Sequence, residues 1–179
     1  MIKTIGHSNH PVERFVDLLK KGGVELLVDV RSAPYSRRFP QFGRETLAKS
    51  LQAAGIAYAW EGEALGGKSG GTSGGGYGAA AARPAFKTAL DRLIESSTGA
   101  TVCLMCAEKE PLACHRTVLV ARRLAERGAA IEHLLADGRT RPHAEIEEAL
   151  LAKTGSGDLF DDRAQLLARA YDTLERAMK

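Results

Sequence analysis

Apolar residues follow two alternating spacings along the chain. Ile2 to Ile5, Val24 to Val30, Ile56 to Trp60, Thr101 to Met105 and Ile131 to Leu135 are short apolar runs carrying β-branched residues, which read as buried strands. Between them the spacing changes to three and four: Val12, Phe15, Val16 and Leu19; Leu47, Leu51 and Ala54; Phe86, Leu90, Leu93 and Ile94; then Leu119 and Leu124 among alanines. That period lines apolar side chains along one helix face. Gly22, Gly55, Gly99 and Gly128 stand where these helices should stop. Five strands joined by four crossover-length helical connections predict an α/β fold: a doubly wound, mostly parallel five-stranded sheet with helices on both faces. Two further helical patterns, Ile146 to Leu151 and Leu167 to Leu174, form a C-terminal helical region over about residues 142–179. They are expected either to cover a sheet edge or to mediate self-association. Residues 66–82, GGKSGGTSGGGYGAAAA, cannot bury a core and read as a flexible loop, either an inert tether or a flap over a ligand.

At 179 residues the chain suits a single domain, 1–179, with a core that needs no staple. A 44% hydrophobic share excludes a disordered chain, and no run approaches the length of a membrane span. The start lacks the apolar run and cleavage site of a signal peptide, and three cysteines cannot close a disulfide framework, so a cytoplasmic location is expected. Net charge is a mild +3, yet Arg31, Arg37, Arg38 and Arg44 fall in one fourteen-residue stretch without an acid.

In a parallel sheet, ligands bind where the carboxyl ends of the strands meet helix N-termini. The predicted strand ends carry His7-Ser8-Asn9, Asp29-Val30-Arg31, Cys106-Ala107-Glu108 and His133. Cys114 stands where the helix after the fourth strand should begin, followed by His115 and Arg116. The helix dipole and these neighbours favour a thiolate, suited to a nucleophile acting on an electrophilic, anionic substrate. Cys106 and Cys114 flank a loop that would let them bridge, which also admits a redox pair. Cys103-Leu-Met-Cys106 matches a CxxC string, but residues three apart on a strand face opposite ways, so Cys103 reads as core. His7, His10, Cys114, His115 and His133 are ligand types for zinc or iron without an established spacing, and no metal is assigned. The loop from Arg31 to Arg44 interleaves its arginines with Tyr35, Phe39 and Phe42, a mixture that binds phosphate and stacks on bases. Within it, the phenylalanines read as core plugs and Asp29 as the residue that orients Arg31.

These segments together resemble the bacterial and archaeal domain of unknown function family 488. The resemblance rests on Thr4-Ile-Gly-His7-Ser-Asn9, Leu27-Val-Asp29-Val-Arg31-Ser with Pro34, Ser36-Arg37-Arg38, Pro40-Gln41-Phe42, Leu65-Gly-Gly67 and Cys106-Ala-Glu108 through Cys114-His115-Arg116, and spans about residues 2 to 140. It implies a site pattern and no particular reaction.

The expectation is an enzyme with a cysteine/histidine site at the carboxyl edge of the sheet, acting on a small phosphate-bearing or nucleotide-like ligand. Cys106 or Cys114 would supply the thiolate. His7, Glu108 and His115 would serve proton transfer, and Arg31, Arg37, Arg38, Arg116 and Ser8 anion binding, supported by Asp29 and Asn9. No cofactor is identified and no membrane partner is expected. The alternatives are a nucleic-acid-binding module without catalysis and a thiol redox or metal-binding sensor.

Overall fold

The structure is a computed structural model that describes residues 1–67, 76–155 and 162–178. Strands β1 (Ile2–Gly6), β2 (Leu26–Asp29), β3 (Ala57–Trp60), β4 (Val102–Cys106) and β5 (Ile131–Leu134) are mutually parallel. The sheet nevertheless has six strands and is mixed, because β6 (Thr140–Pro142) runs antiparallel to β5. This corrects the expected five parallel strands. Three residues ending in proline carry no alternation to read, and a short polar strand is a common cover for a sheet edge. Gly138, at φ 91°, makes the tight turn that returns the chain from β5 to β6.

The strand order is β3-β2-β4-β1-β5-β6. From β1 the chain steps through α1 (Val12–Lys21) to β2 and through α2 (Arg44–Ala53) to β3. Phe15, Leu18, Leu19, Leu47 and Leu51 of these helices pack with Ile5, Leu27, Cys103 and Met105 on one face. Two short helices, α3 (Gly62–Leu65) and α4 (Gly76–Ala82), precede α5 (Pro84–Gly99). Thus 76–82 of the expected loop is helical, and 68–75 lies outside the described residues. The chain then steps back through α5 to β4, and through a π-helical stretch (Arg116–Ala121) continued by α6 (Arg122–Ala125) to β5. Phe86, Leu90, Leu93, Leu119 and Leu124 cover the opposite face, against Val28, Val102, Leu104 and Cys106. Cys103 and Cys106 therefore do face opposite layers. A reversal of stepping direction moves right-handed crossovers to the other face. Connections leaving β1 and β2 depart to one side and the connection leaving β4 to the other, so a crevice opens at the carboxyl end of β4.

The C-terminal helices α7 (His143–Thr154) and α8 (Arg163–Ala177) pack on the π-helical stretch through Val118, Leu150, Ala170, Tyr171 and Leu174. Beneath them runs a buried polar chain. Thr4 Oγ1 meets His133 Nδ1 at 2.8 Å, His133 Nε2 meets His143 Nδ1 at 2.9 Å, and His143 Nε2 meets the Tyr171 hydroxyl at 3.2 Å. Tyr171 also donates to Glu147 at 3.2 Å. Burial lowers the pKa of His143 to about 4, and burial followed by the neighbouring His143 holds His133 well below the usual imidazole range. Among the described residues, no helix is long and apolar enough to cross a membrane.

Candidate active site

Three loops build the floor of the crevice. The pairing of β1 with β4 continues past both strands, with His7 N–H donating to the Cys106 carbonyl at 2.8 Å and Ser8 N–H to that of Ala107 at 2.9 Å. Ser8 takes a left-handed conformation, φ 51°, to make this turn. The loop after β4 then crosses Gly6 so closely that a Cβ there would lie 1.8 Å from the Glu108 carbonyl oxygen. That carbonyl accepts from Arg116 Nη1 at 2.5 Å, and the Lys109 carbonyl accepts from Arg116 Nη2 at 3.1 Å. Arg116 is fully buried. Its guanidinium has no carboxylate partner among the described residues, and its Nε has no hydrogen bond. It clamps the loop from below and places a positive charge under the thiols.

Above that charge sit Cys106, Glu108, Cys114 and His115, whose donor atoms all lie within 4.8 Å of one another. Glu108 Oε2 is 3.1 Å from Cys106 Sγ and 3.0 Å from Cys114 Sγ. His115 Nε2 donates to the Val30 carbonyl at 2.9 Å, which aims Nδ1 at Cys106 Sγ, 3.4 Å away. Cys114 stands at the turn that opens the π-helical stretch, where its sulfur accepts the Arg116 N–H at 3.4 Å. Burial pushes the Cys114 thiol up, but the hydrogen bond with Cys106, the Arg116 charge and His115 outweigh it and bring it well below the ordinary thiol range. Cys106 moves the other way, through its hydrogen bond with Cys114 and then burial. Glu108 is raised by burial and then by Cys114. Burial lowers the basicity of His115, and the bond to and charge of Cys114 more than restore it, for a net rise. The first proton therefore leaves this set easily and the second is held.

Beside the thiols, Asp29 and Arg31 form a buried fork, with Arg31 Nε on Oδ1 at 2.8 Å and Nη2 on Oδ2 at 2.6 Å. Tyr58 donates to Asp29 at 2.9 Å, and Arg31 Nη2 also reaches the Phe42 carbonyl at 2.8 Å. Arg31 Nη1 lies 3.2 Å from His7 Nε2, while His7 Nδ1 donates to the Ser8 carbonyl at 2.8 Å. Stacked 4.2 Å from Phe42, His7 is buried and its pKa falls to about 4, with desolvation the largest cause. His7 is thus neutral and accepts a hydrogen bond from Arg31, and no hydrogen bond links it to the thiols.

The crevice is a cleft of about 1190 Å³. Cys106, Glu108 and His115 line it, as do His7, Ser8, Asn9, Arg31 and Arg38, whereas Cys114, Arg116, Asp29 and the exposed Arg37 do not. His133, placed by the sequence at the same edge, belongs instead to the buried chain under α7. Lys109, Tyr77, Glu175 and Met178 complete the walls. Lys109 adjoins Glu108 and was within reach of motif reading; Tyr77 and the α8 residues are brought in by long-range packing, through Tyr77 N–H donating to Glu175 at 2.8 Å.

The family described as Domain of unknown function DUF488 matches residues 11–123. The chain belongs to this family. The DUF488 match takes in every thiol, the Asp29–Arg31 fork and the π-helical stretch, and leaves β1, β5, β6, α7 and α8 outside it. No curated protein and no solved structure matches the chain. The DUF488 assignment brings no reaction with it, so function has to come from the site.

Proposed function

We propose that this DUF488 protein is a thiol-dependent enzyme acting on a small phosphate-bearing or nucleotide-like substrate. The observation that carries the reading is that Cys106, the sulfur lining the cleft, has the aimed Nδ1 of His115 at 3.4 Å and a carboxyl oxygen of Glu108 at 3.1 Å. Nucleophile, base and an orienting carbonyl for the base form the geometry of covalent catalysis. In the chemical step, the Cys106 thiol proton passes to His115 Nδ1 as sulfur bonds to the electrophilic atom of the substrate. The bond to the leaving group breaks with its electron pair, and the leaving group takes the proton. Water then bonds to that electrophilic atom as its bond to sulfur breaks with the electron pair, and Glu108 takes the proton of that water and returns it to the Cys106 sulfur 3.1 Å away, restoring the thiol.

Arg38, Lys109 and Ser8 around the mouth supply cationic and hydroxyl contacts for the anion, while Arg31 and Arg116, committed to protein acceptors, hold the floor. Phe39 and Tyr77 line the same cleft and supply aromatic surface for a base or similar planar group. The test is alkylation of the reduced, full-length protein by iodoacetamide with peptide mapping. Cys106 is expected to react first because its sulfur lines the cleft and that of the more acidic Cys114 does not, and millimolar adenosine monophosphate or inorganic phosphate to slow it several-fold. Preferential labelling elsewhere, or no protection by either anion, would remove the proposal.

A further inference from the structure

The four side chains at the cleft floor have a second property that thiol catalysis does not require. They bring two sulfurs, one imidazole nitrogen and one carboxylate oxygen together from a single ten-residue segment, Cys106 to His115, all within 4.8 Å. A tetrahedral zinc ion with bonds of about 2.0–2.3 Å has ligand-to-ligand edges of roughly 3.3–3.8 Å. The close contacts are 3.0 and 3.1 Å from Glu108 to the two sulfurs and 3.4 Å from Cys106 to His115 Nδ1, and the remaining pairs lie within 4.8 Å, so side-chain adjustments of up to about an ångström bring the set to those edges around the ion.

Two outer contacts fit the same role. A metal-bound histidine normally donates its second nitrogen to a carbonyl or carboxylate, and His115 Nε2 donates to the Val30 carbonyl at 2.9 Å. Metal-bound sulfur commonly accepts a backbone N–H, as Cys114 does from Arg116 at 3.4 Å. Charge closes as well. Two thiolates and a carboxylate around a divalent ion leave one negative charge, and the buried Arg116, which lacks a carboxylate partner among the described residues, supplies one positive charge. Sulfur and imidazole donors select a thiophilic ion over magnesium or calcium.

We infer that Cys106, Glu108, Cys114 and His115 form a zinc site, with Arg116 as its counter-charge and with the cleft-facing sulfur of Cys106 masked whenever the ion is bound. The site uses the side chains of the proposed enzyme but does not depend on any reaction. The test loads reduced, chelator-stripped full-length protein with Co²⁺ and then titrates Zn²⁺ against a chromophoric chelator. The expected result is one ion per chain, a thiolate-to-cobalt charge-transfer band, and at least a 100-fold loss of affinity in both Cys114→Ser and His115→Gln. Cys103→Ser, on the opposite face of the sheet, is expected to bind as the parent does, and circular dichroism of each variant confirms that it is folded. Zn²⁺ should also slow Cys106 alkylation at least ten-fold, with recovery on adding chelator. Absence of the charge-transfer band, or unchanged affinity in a folded Cys114→Ser protein, would overturn the zinc site. Anion-protected alkylation of Cys106 would then still stand, so the two readings fail separately.

Discussion

Lowering the pH should loosen the C-terminal helices through His143, and the size of the effect follows from its surroundings. Burial brings this imidazole from 6.5 to about 4. On unfolding it regains its ordinary pKa, so between these two values the unfolded chain binds a proton that the folded chain refuses. Stability is therefore undiminished above about pH 6.5, falls as the pH drops through that window, and levels off below about pH 4. At 1.36 kcal/mol per unit the full loss is about 3.4 kcal/mol, of which about 2 kcal/mol has appeared by pH 5. Urea unfolding at pH 7.5 and pH 5 of a parent carrying His133→Gln, and of the same parent with His143→Gln added, isolates this group, because the neighbouring His133, whose pKa His143 itself depresses, is absent from both. The parent's advantage over the variant is expected to shrink by about 2 kcal/mol at the lower pH. If the difference between the two proteins is the same at both pH values, His143 is not held neutral by burial and the account of the buried chain is wrong.

Three other perturbations test other parts of the structure. Gly6→Ala would drive a methyl group into the Glu108 carbonyl, costing at least about 2 kcal/mol in chemical denaturation and abolishing preferential alkylation of Cys106 as the loop shifts. Asp29→Asn leaves the buried Arg31 without its counter-charge and should cost about 3–5 kcal/mol, read as a lowered midpoint in urea; a loss below about 1 kcal/mol would show that the fork is not needed. Tyr171→Phe removes the hydroxyl shared by His143 and Glu147, with an expected loss of about 1–2 kcal/mol and faster hydrogen exchange confined to α7 and α8.

Four of the five parallel strands were legible as largely buried runs that β-branched residues mark locally, the half-exposed edge strand β3 through Ile56 before it and the aromatic Tyr58 and Trp60 within it, and each lies within two residues of its expected bounds. Strand order was not, since placing β4 between β2 and β1 depends on which helices share a face, a non-local matter. α4 was hidden by its glycines, and β6 by its length. At the site, the carboxyl-strand-end rule placed Cys106, Glu108, Cys114 and His115 at one edge with His7 and Arg31, and the structure sets the first four within 4.8 Å of one another and His7 beside Arg31. What it missed was where each side chain spends its hydrogen bonds. The Asp29–Arg31 pair was read from the sequence and is present, but the carbonyls of Phe42, Glu108 and Lys109 that also occupy Arg31 and Arg116 were not. Backbone carbonyls carry no residue-type signature, so no motif could announce them.

The π-helical stretch ties the chemistry to chain length. A π turn amounts to an α-helix that has absorbed one extra residue. Across Arg116–Ala121 that residue sets the angle between the cleft-lining His115, with the buried Cys114 beside it, and the core-facing Leu124 further along. Deleting one residue there would restore ordinary helix geometry and turn one end against the other by about 100°. With Leu124 kept in the core, the sulfur and imidazole would swing off the floor of the cleft. The spacing between motif and core is thus as much a part of the candidate site as the side chains, and a homologue one residue shorter in this stretch should not be expected to share its geometry even with every cysteine and histidine in place.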